Sequence, residues 1–108
     1  MDNKTNISVL KEKVKTFVSE RNWQEFHSPK NLAMSISIEA SELLEHFQWL
    51  SLKESKDYLK DTNSHDEVAM ELADVLIYCL SFANTCNIDI AEAIFKKMAI
   101  NEKRFKKD

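Results

Sequence analysis

The segment Val68–Ala83 constrains the whole chain, because it is apolar around most of its circumference and yet carries a line of acids. At about 100° per residue, Glu67, Glu71, Asp74, Tyr78, Ser81 and Thr85 fall in one narrow strip of a helix. Val, Leu, Ile, Ala, Cys, Met and Phe fill nearly all the rest. A helix of that composition is buried on most sides. Its acidic strip must therefore face a cavity, a partner or a cation, since an unpaired buried carboxylate is costly or takes up a proton.

A second apolar segment repeats the device. Glu39-x-x-Glu42, like Glu71-x-x-Asp74, points two carboxylates the same way, because residues three apart share a helix face. A hard cation shared by the two pairs removes the cost of burying them. Four carboxylates without a nearby thiol favour Mg2+, or Mn2+, over Zn2+. The di-iron bundles use Glu-x-x-His pairs, and no Glu in this chain has a His three residues later. His27, His46 and His65 show no ligand spacing either. Mg2+ binds through a few carboxylates together with substrate phosphates, so the pattern predicts a phosphate-bearing substrate. Other acids, such as Glu54, Asp57, Asp61 and Asp66, read as a solvated face paired with lysines.

The absence of glycine and the single proline exclude most turn-rich β folds and the glycine-dependent phosphate loops. The expected fold is all-α, a single domain over residues 1–108 of the four-helix-bundle type. The first helix runs from about Ser8 to Arg21, with Leu10, Val14, Phe17 and Val18 on one face and Asn22 as a left-handed stop. Ser28-Pro29 opens a second, expected to reach about Trp49. Its core stripe is Leu32, Ile36, Ala40, Leu43 and Phe47, and a second apolar set, Met34, Ile38 and Trp49, lies on the far side. Ser51-x-x-Glu54 caps a short helix ending near Lys60, and Ser64-x-x-Glu67 reads as the box that opens the long helix to about Thr85. Asn87 closes that helix, and Asp89-x-x-Glu92 opens the last one, to about Phe105. Two helices that are apolar beyond one stripe cannot be covered by so small a bundle, so a homodimer or homotetramer is expected.

A net charge of −3 argues against a dedicated nucleic-acid partner. The N-terminus lacks the apolar core of a signal peptide, and the longest apolar run, Val75–Ala83, is too short to span a bilayer. Cys79 and Cys86 lie about 10 Å apart along one helix, too far for a disulfide, and read as core thiols. The expected location is the cytoplasm, away from membranes.

The last helix offers a complement to phosphate, with Lys97, Asn101 and Arg104 along one edge of the Ile90, Ile94, Met98 and Phe105 stripe. Aromatic residues can supply a stacking pocket. Phe47 and Phe26 are assigned to the core, whereas Trp23, Trp49 and Tyr78 are pocket candidates. His27 stands equally as a loop residue with a local hydrogen bond or as a substrate contact.

Several blocks together resemble the all-α nucleotide pyrophosphohydrolases, the MazG-like group, and within it the dCTP pyrophosphatase branch. They are Arg21-Asn-Trp-Gln-Glu-Phe-His27, Ser28-Pro-Lys-Asn-Leu32, Glu39-Ala-Ser-Glu-Leu-Leu-Glu-His-Phe-Gln-Trp49, Glu71-Leu-Ala-Asp-Val-Leu-Ile-Tyr78 and Lys97-Met-Ala-Ile-Asn-Glu-Lys-Arg104, in the family's order. The resemblance implies Mg2+-dependent hydrolysis of a nucleoside triphosphate, with dCTP-like pyrimidines favoured, to monophosphate and pyrophosphate in an oligomeric helical bundle. It implies Glu39, Glu42, Glu71 and Asp74 as metal ligands. It places Trp23, His27, Trp49 and Tyr78 around the base, and Lys97, Asn101 and Arg104 near the phosphates. Glu39 and Glu42 become the candidates for activating water. Ser41 stands where many relatives have Gly or Ala, and Lys30 where the branch often has Arg, so Lys30 is a candidate phosphate or loop contact. The reading from another class is a non-catalytic helical module whose acidic groove takes a cationic partner or a structural Mg2+.

Overall fold

In the computed structural model, which describes residues 1–107, every regular element is helical. The order is α1 (Ile7–Glu20), a 3-10 turn (Gln24–Phe26), α2 (Pro29–Glu45), α3 (Leu52–Tyr58), α4 (Thr62–Thr85) and α5 (Ile90–Arg104). Local chemistry accounts for most boundaries. The Ser28 side chain accepts from the Asn31 N–H, with Pro29 in the first turn. Both halves of the Ser51/Glu54 capping box are formed. Asp89 accepts from the Glu92 N–H. Asn22 and Asn87 both adopt φ 54°, the left-handed geometry that lets the chain leave α1 and α4.

Two boundaries differ from the sequence reading. α2 stops at Glu45 rather than near Trp49, because residues 46–49 wind into a tighter turn. There the Phe47 N–H bonds to the Leu44 carbonyl at 2.9 Å, and the Leu50 N–H to the Phe47 carbonyl at 2.9 Å. α4 begins at Thr62, one turn before the Ser64 box. Asp61 is its cap, since one carboxylate oxygen accepts from both the Ser64 N–H (3.0 Å) and the Ser64 hydroxyl (2.9 Å). Ser64 is thus the capped residue.

The principal packing is α2 against α4, followed by α1 against α4. Two long-range bonds lock α1 to the end of α4. The Asn84 side chain donates to the Lys11 carbonyl (2.9 Å), and Lys11 Nζ donates to the Ile88 carbonyl (3.0 Å). Among the described residues the fully enclosed core is small: Val14, Val18, Leu32, Leu80 and Ala83, with Ser81 as its one polar member. Leu32 is the best-buried large side chain, at 1% exposure.

Much of the apolar surface is left open. Leu10 and Phe17 of the α1 stripe are exposed, as are Met34 and Ile38 on α2, Leu72, Leu76 and Ile77 on α4, and Ile94, Phe95, Met98 and Phe105 on α5. Phe26, assigned to the core from sequence, is 61% exposed on the 3-10 turn. The accessible surface is 8953 Å², against about 6200 Å² for a compact monomer of this mass. The radius of gyration, 16.5 Å, likewise exceeds the roughly 13 Å of a compact chain of this length. Cys79 and Cys86 are unpaired and half-buried, and burial pushes the Cys79 thiol up. By length and composition α4 is the one described helix able to cross a membrane, with 24 residues and a most apolar 18-residue stretch of mean hydropathy 1.3.

Candidate metal centre and aromatic pocket

α2 and α4 carry one acidic pair each, and packing the two helices together brings the pairs face to face. One carboxylate oxygen from each of Glu39, Glu42 and Glu71 lies within 4.8 Å of the other two. Asp74, one turn further along α4, is exposed and stands outside this trio. Its charge nevertheless acts on both Glu39 and Glu71.

Crowding and burial leave a clear mark on the group. Desolvation, and then the neighbouring carboxyl of Glu42, push Glu39 from the ordinary carboxylate range up to about 7. Glu71 is raised by the same causes, desolvation first, then the charges of Glu42 and Asp74. His46, at the end of α2, acts on Glu71 in the opposite direction. One oxygen of Glu39 and one of Glu71 are fully enclosed and have no hydrogen-bond partner. Enclosed carboxylate oxygens are expected to be satisfied, and here no side chain among the described residues does so. Oxygen-only donors, converging and unsatisfied, suit a hard divalent cation.

The aromatic candidates assemble elsewhere on the same helix face. Trp23 stacks on His27 with centroids 6.4 Å apart and planes at 28°. The His27 ring lies 6.3 Å from that of Tyr78, tilted by 36°, and Phe17 meets Trp23 edge-on at 5.6 Å. His27 Nδ1 shares a 3.0 Å hydrogen bond with the Ser81 hydroxyl. These residues border a cavity of about 510 Å³ between α1 and α4, whose remaining wall is apolar, Leu10, Val14, Leu76 and Ile77 among it, except for Lys13. A smaller, more polar cavity of about 290 Å³, with Lys15, Gln24 and Asn84 on its wall, adjoins the other side of His27 and Ser81.

Trp49 does not join this cluster. It sits in the turn after α2, 86% exposed. Lys30, in the first turn of α2, is exposed as well. On α5, Lys97 and Arg104 are exposed and Asn101 is half-buried. The Arg104 guanidinium lies 5.0 Å from the Phe105 ring, and the Asn101 carbonyl accepts from the Phe105 N–H at 2.8 Å. α5 has no packing against the rest of the chain comparable to that of α2 or α1 on α4.

Two contributors escape a reading of spacing alone. His46 bonds through Nδ1 to the Tyr58 hydroxyl of α3 at 2.9 Å, which holds it beside the acids. Ser81 is recognisable in sequence only as a member of the acidic strip, whereas its partner lies 54 residues away.

Comparison with known proteins gives the same architecture a lineage. Over 89 residues the chain is 37% identical to dCTP pyrophosphatase 1 of Mus musculus and to that of Homo sapiens, covering 82% of this chain and 52% of each relative. The Bos taurus protein is 35% identical, with 82% and 53% covered. The chain thus spans about half the length of these curated relatives. A solved pyrophosphatase structure from Archaeoglobus fulgidus DSM 4304 is 42% identical, with a TM-score of 0.86, over 94% of this chain and 93% of that one. The MazG-like family model matches residues 34–108, a stretch that holds both acidic pairs, all of α4 and α2 from Met34 onward. On that match and these relatives, the chain belongs to the MazG-like family.

Proposed function

We propose that this protein hydrolyses a nucleoside triphosphate to the monophosphate and pyrophosphate, using the carboxylate cluster for the phosphates and the aromatic cavity for the base. The observation that carries the reading is the convergence of Glu39, Glu42 and Glu71 with two enclosed, unsatisfied oxygens. The stacking pocket lies further along the same strip of α4. Glu71 and Tyr78 are seven residues apart, about 10 Å along the helix, a span suited to a nucleotide lying along it. The names of the dCTP pyrophosphatase relatives support the reaction, and a dCTP-like pyrimidine is the favoured substrate.

Glu39, Glu42 and Glu71 would hold Mg2+, with Asp74 at the rim. When bound, the cation supplies Lewis-acid polarisation of the phosphoryl group and neutralises charge on the departing pyrophosphate. The protein's own residues do the rest. Water oxygen bonds to the α-phosphorus while the bond from that phosphorus to the bridging oxygen breaks, and the bridging oxygen leaves with pyrophosphate. The Glu39–Glu42 pair orients the attacking water and accepts its proton. Trp23, His27 and Tyr78 hold the base, and Lys97, Asn101 and Arg104 meet the phosphates, with Lys30 as a further contact.

The working unit is a homodimer or homotetramer, a reading supported by the excess surface and by the exposed apolar faces of α2, α4 and α5. Subunit contact, rather than lipid, is the cover proposed for α4, because carboxylates at the middle of a bilayer carry a heavy cost. The whole sequence is read as one domain, placed in the cytoplasm in keeping with its unpaired cysteines. No nucleic-acid partner is proposed for a chain of net charge −3. The test is pyrophosphate release from a panel of deoxynucleoside triphosphates, with and without Mg2+, and phosphorus NMR of the products. Pyrophosphate with monophosphate is expected; orthophosphate with diphosphate, or no turnover of any nucleotide, overturns the reading.

A further inference from the structure

We propose that Ser81 is a positioning residue, which fixes His27 as the tautomer protonated on Nε2 and thereby makes that N–H a donor to a ring carbonyl of the bound base. The inference rests on the aromatic cavity being the base pocket.

Ser81 is buried at 4% exposure and, among the described residues, is the only polar member of the core. A serine inside a helix ordinarily turns its hydroxyl back on a carbonyl of the preceding turn. Ser41 does so to the Ser37 carbonyl at 2.9 Å, and Ser55 to the Leu52 carbonyl at 2.7 Å. Ser81 makes no such bond among the described residues. Its hydroxyl meets His27 Nδ1 alone, at 3.0 Å.

A buried hydroxyl proton needs an acceptor, and Nδ1 is the acceptor within reach. Ser81 therefore donates, Nδ1 accepts, and the neutral imidazole carries its proton on Nε2. No protein group bonds Nε2 among the described residues, and it is not one of the enclosed polar atoms. Trp23 and Tyr78 fix the plane of the ring, whereas the Ser81 bond fixes which edge faces α4. Without that bond the ring can turn over, or exchange tautomers, within the same stack. The site would then offer either a donor or an acceptor to the base.

The test begins with wild-type pyrophosphate release, so that failure of the proposed function appears as no turnover in any variant. In active enzyme, nitrogen-15 NMR at a pH above the ordinary histidine range reads the His27 tautomer directly. The expected wild-type spectrum has a proton on Nε2 and an unprotonated, hydrogen-bonded Nδ1. Ser81→Ala, a substitution well tolerated in a helix, should mix the tautomers and raise KM about five- to tenfold, with kcat changed by less than about twofold. Ser81→Thr should restore both the tautomer and KM. An Nδ1-protonated ring in the wild type overturns the inference. So does a Ser81→Ala enzyme with unchanged KM.

Discussion

Glu39 and Glu71 occupy positions where a carboxylate is poorly satisfied without help, and that makes them the residues whose replacement is most informative. Glu71→Gln removes one charge from a crowded, desolvated group while keeping its shape. The metal-free protein should be at least as stable as wild type, and turnover should fall a hundredfold or more, by about 3 kcal/mol of barrier. Asp74 is exposed and outside the trio, so Asp74→Asn should act through cation affinity, at about 10–100-fold, and recover part of its activity at high Mg2+. Near-normal turnover of both variants at saturating Mg2+ would remove the metal assignment. The pH dependence follows from Glu39, whose folded value stands at about 7 against an ordinary value of 4.5. Between those values the folded protein binds a proton that the unfolded chain does not, so acidification stabilises the fold. In chelator, the melting temperature should rise as pH falls from neutrality through this window, then gain nothing more from Glu39 below it. Glu39→Gln should abolish that rise, and Mg2+ should flatten it by competing with the proton. A metal-free wild type whose melting temperature is flat or falling across the window would show that Glu39 is not so strained. At this scale the sequence was a good guide to residues on one helix face: Glu39 with Glu42, and Tyr78 with Ser81. It was a poor guide to meetings between helices. His27 finds Ser81, and His46 finds Tyr58, through rotations and offsets that a period of 3.6 residues does not encode.

Helix ends show where local chemistry decides structure and where it has a choice. Ser28-Pro29, Ser51-x-x-Glu54 and Asp89-x-x-Glu92 each had one plausible cap, and each is used. The start of α4 is different: the sequence reading opens it at Ser64 and leaves Asp61 to the solvated face, whereas Asp61 is the cap. The carboxylate wins because it bonds both the N–H and the hydroxyl of Ser64, and this gives the helix an extra turn. Asp61→Ala should therefore lower stability by about 1 kcal/mol, and Ser64→Ala by less, as read by denaturant titration. Equal costs would mean that the two caps share the end. The overrun at α2 has a different origin. Phe47 and Trp49 continue the apolar pattern past Glu45, but the backbone tightens at His46, and His46 and Phe47 pack on Tyr58 of α3 instead. Periodicity reports which residues prefer burial. It does not report that the next helix will bend back to meet them.

For the molecule as a whole, the surplus of exposed surface, with many large apolar side chains in it, is the dominant fact. The gap between 8953 Å² and the roughly 6200 Å² of a compact monomer is some 2700 Å² for each chain. That is well above the roughly 800 Å² that one partner contributes to an ordinary interface. α5 gives the gap a location, since Ile94, Phe95 and Met98 are exposed on a helix that scarcely packs on its own chain. Ile38 on the far side of α2 gives it another. Covering both in an oligomer would also bring Lys97, Asn101 and Arg104 under steric control, which an unsupported helix cannot provide. Assembly and catalysis should therefore fail together. Ile38→Asp places a charge where a subunit contact is expected, and should convert the protein to smaller species or unfold it, with activity lost in parallel. Ile38→Ala tests the same surface more gently. It should shift the assembly equilibrium to higher protein concentration while the helical signal survives. Light scattering across a dilution series reads both variants against the wild type, expected to be a dimer or tetramer. A folded, fully active wild-type monomer at micromolar concentration would mean that the open apolar faces have some other cover.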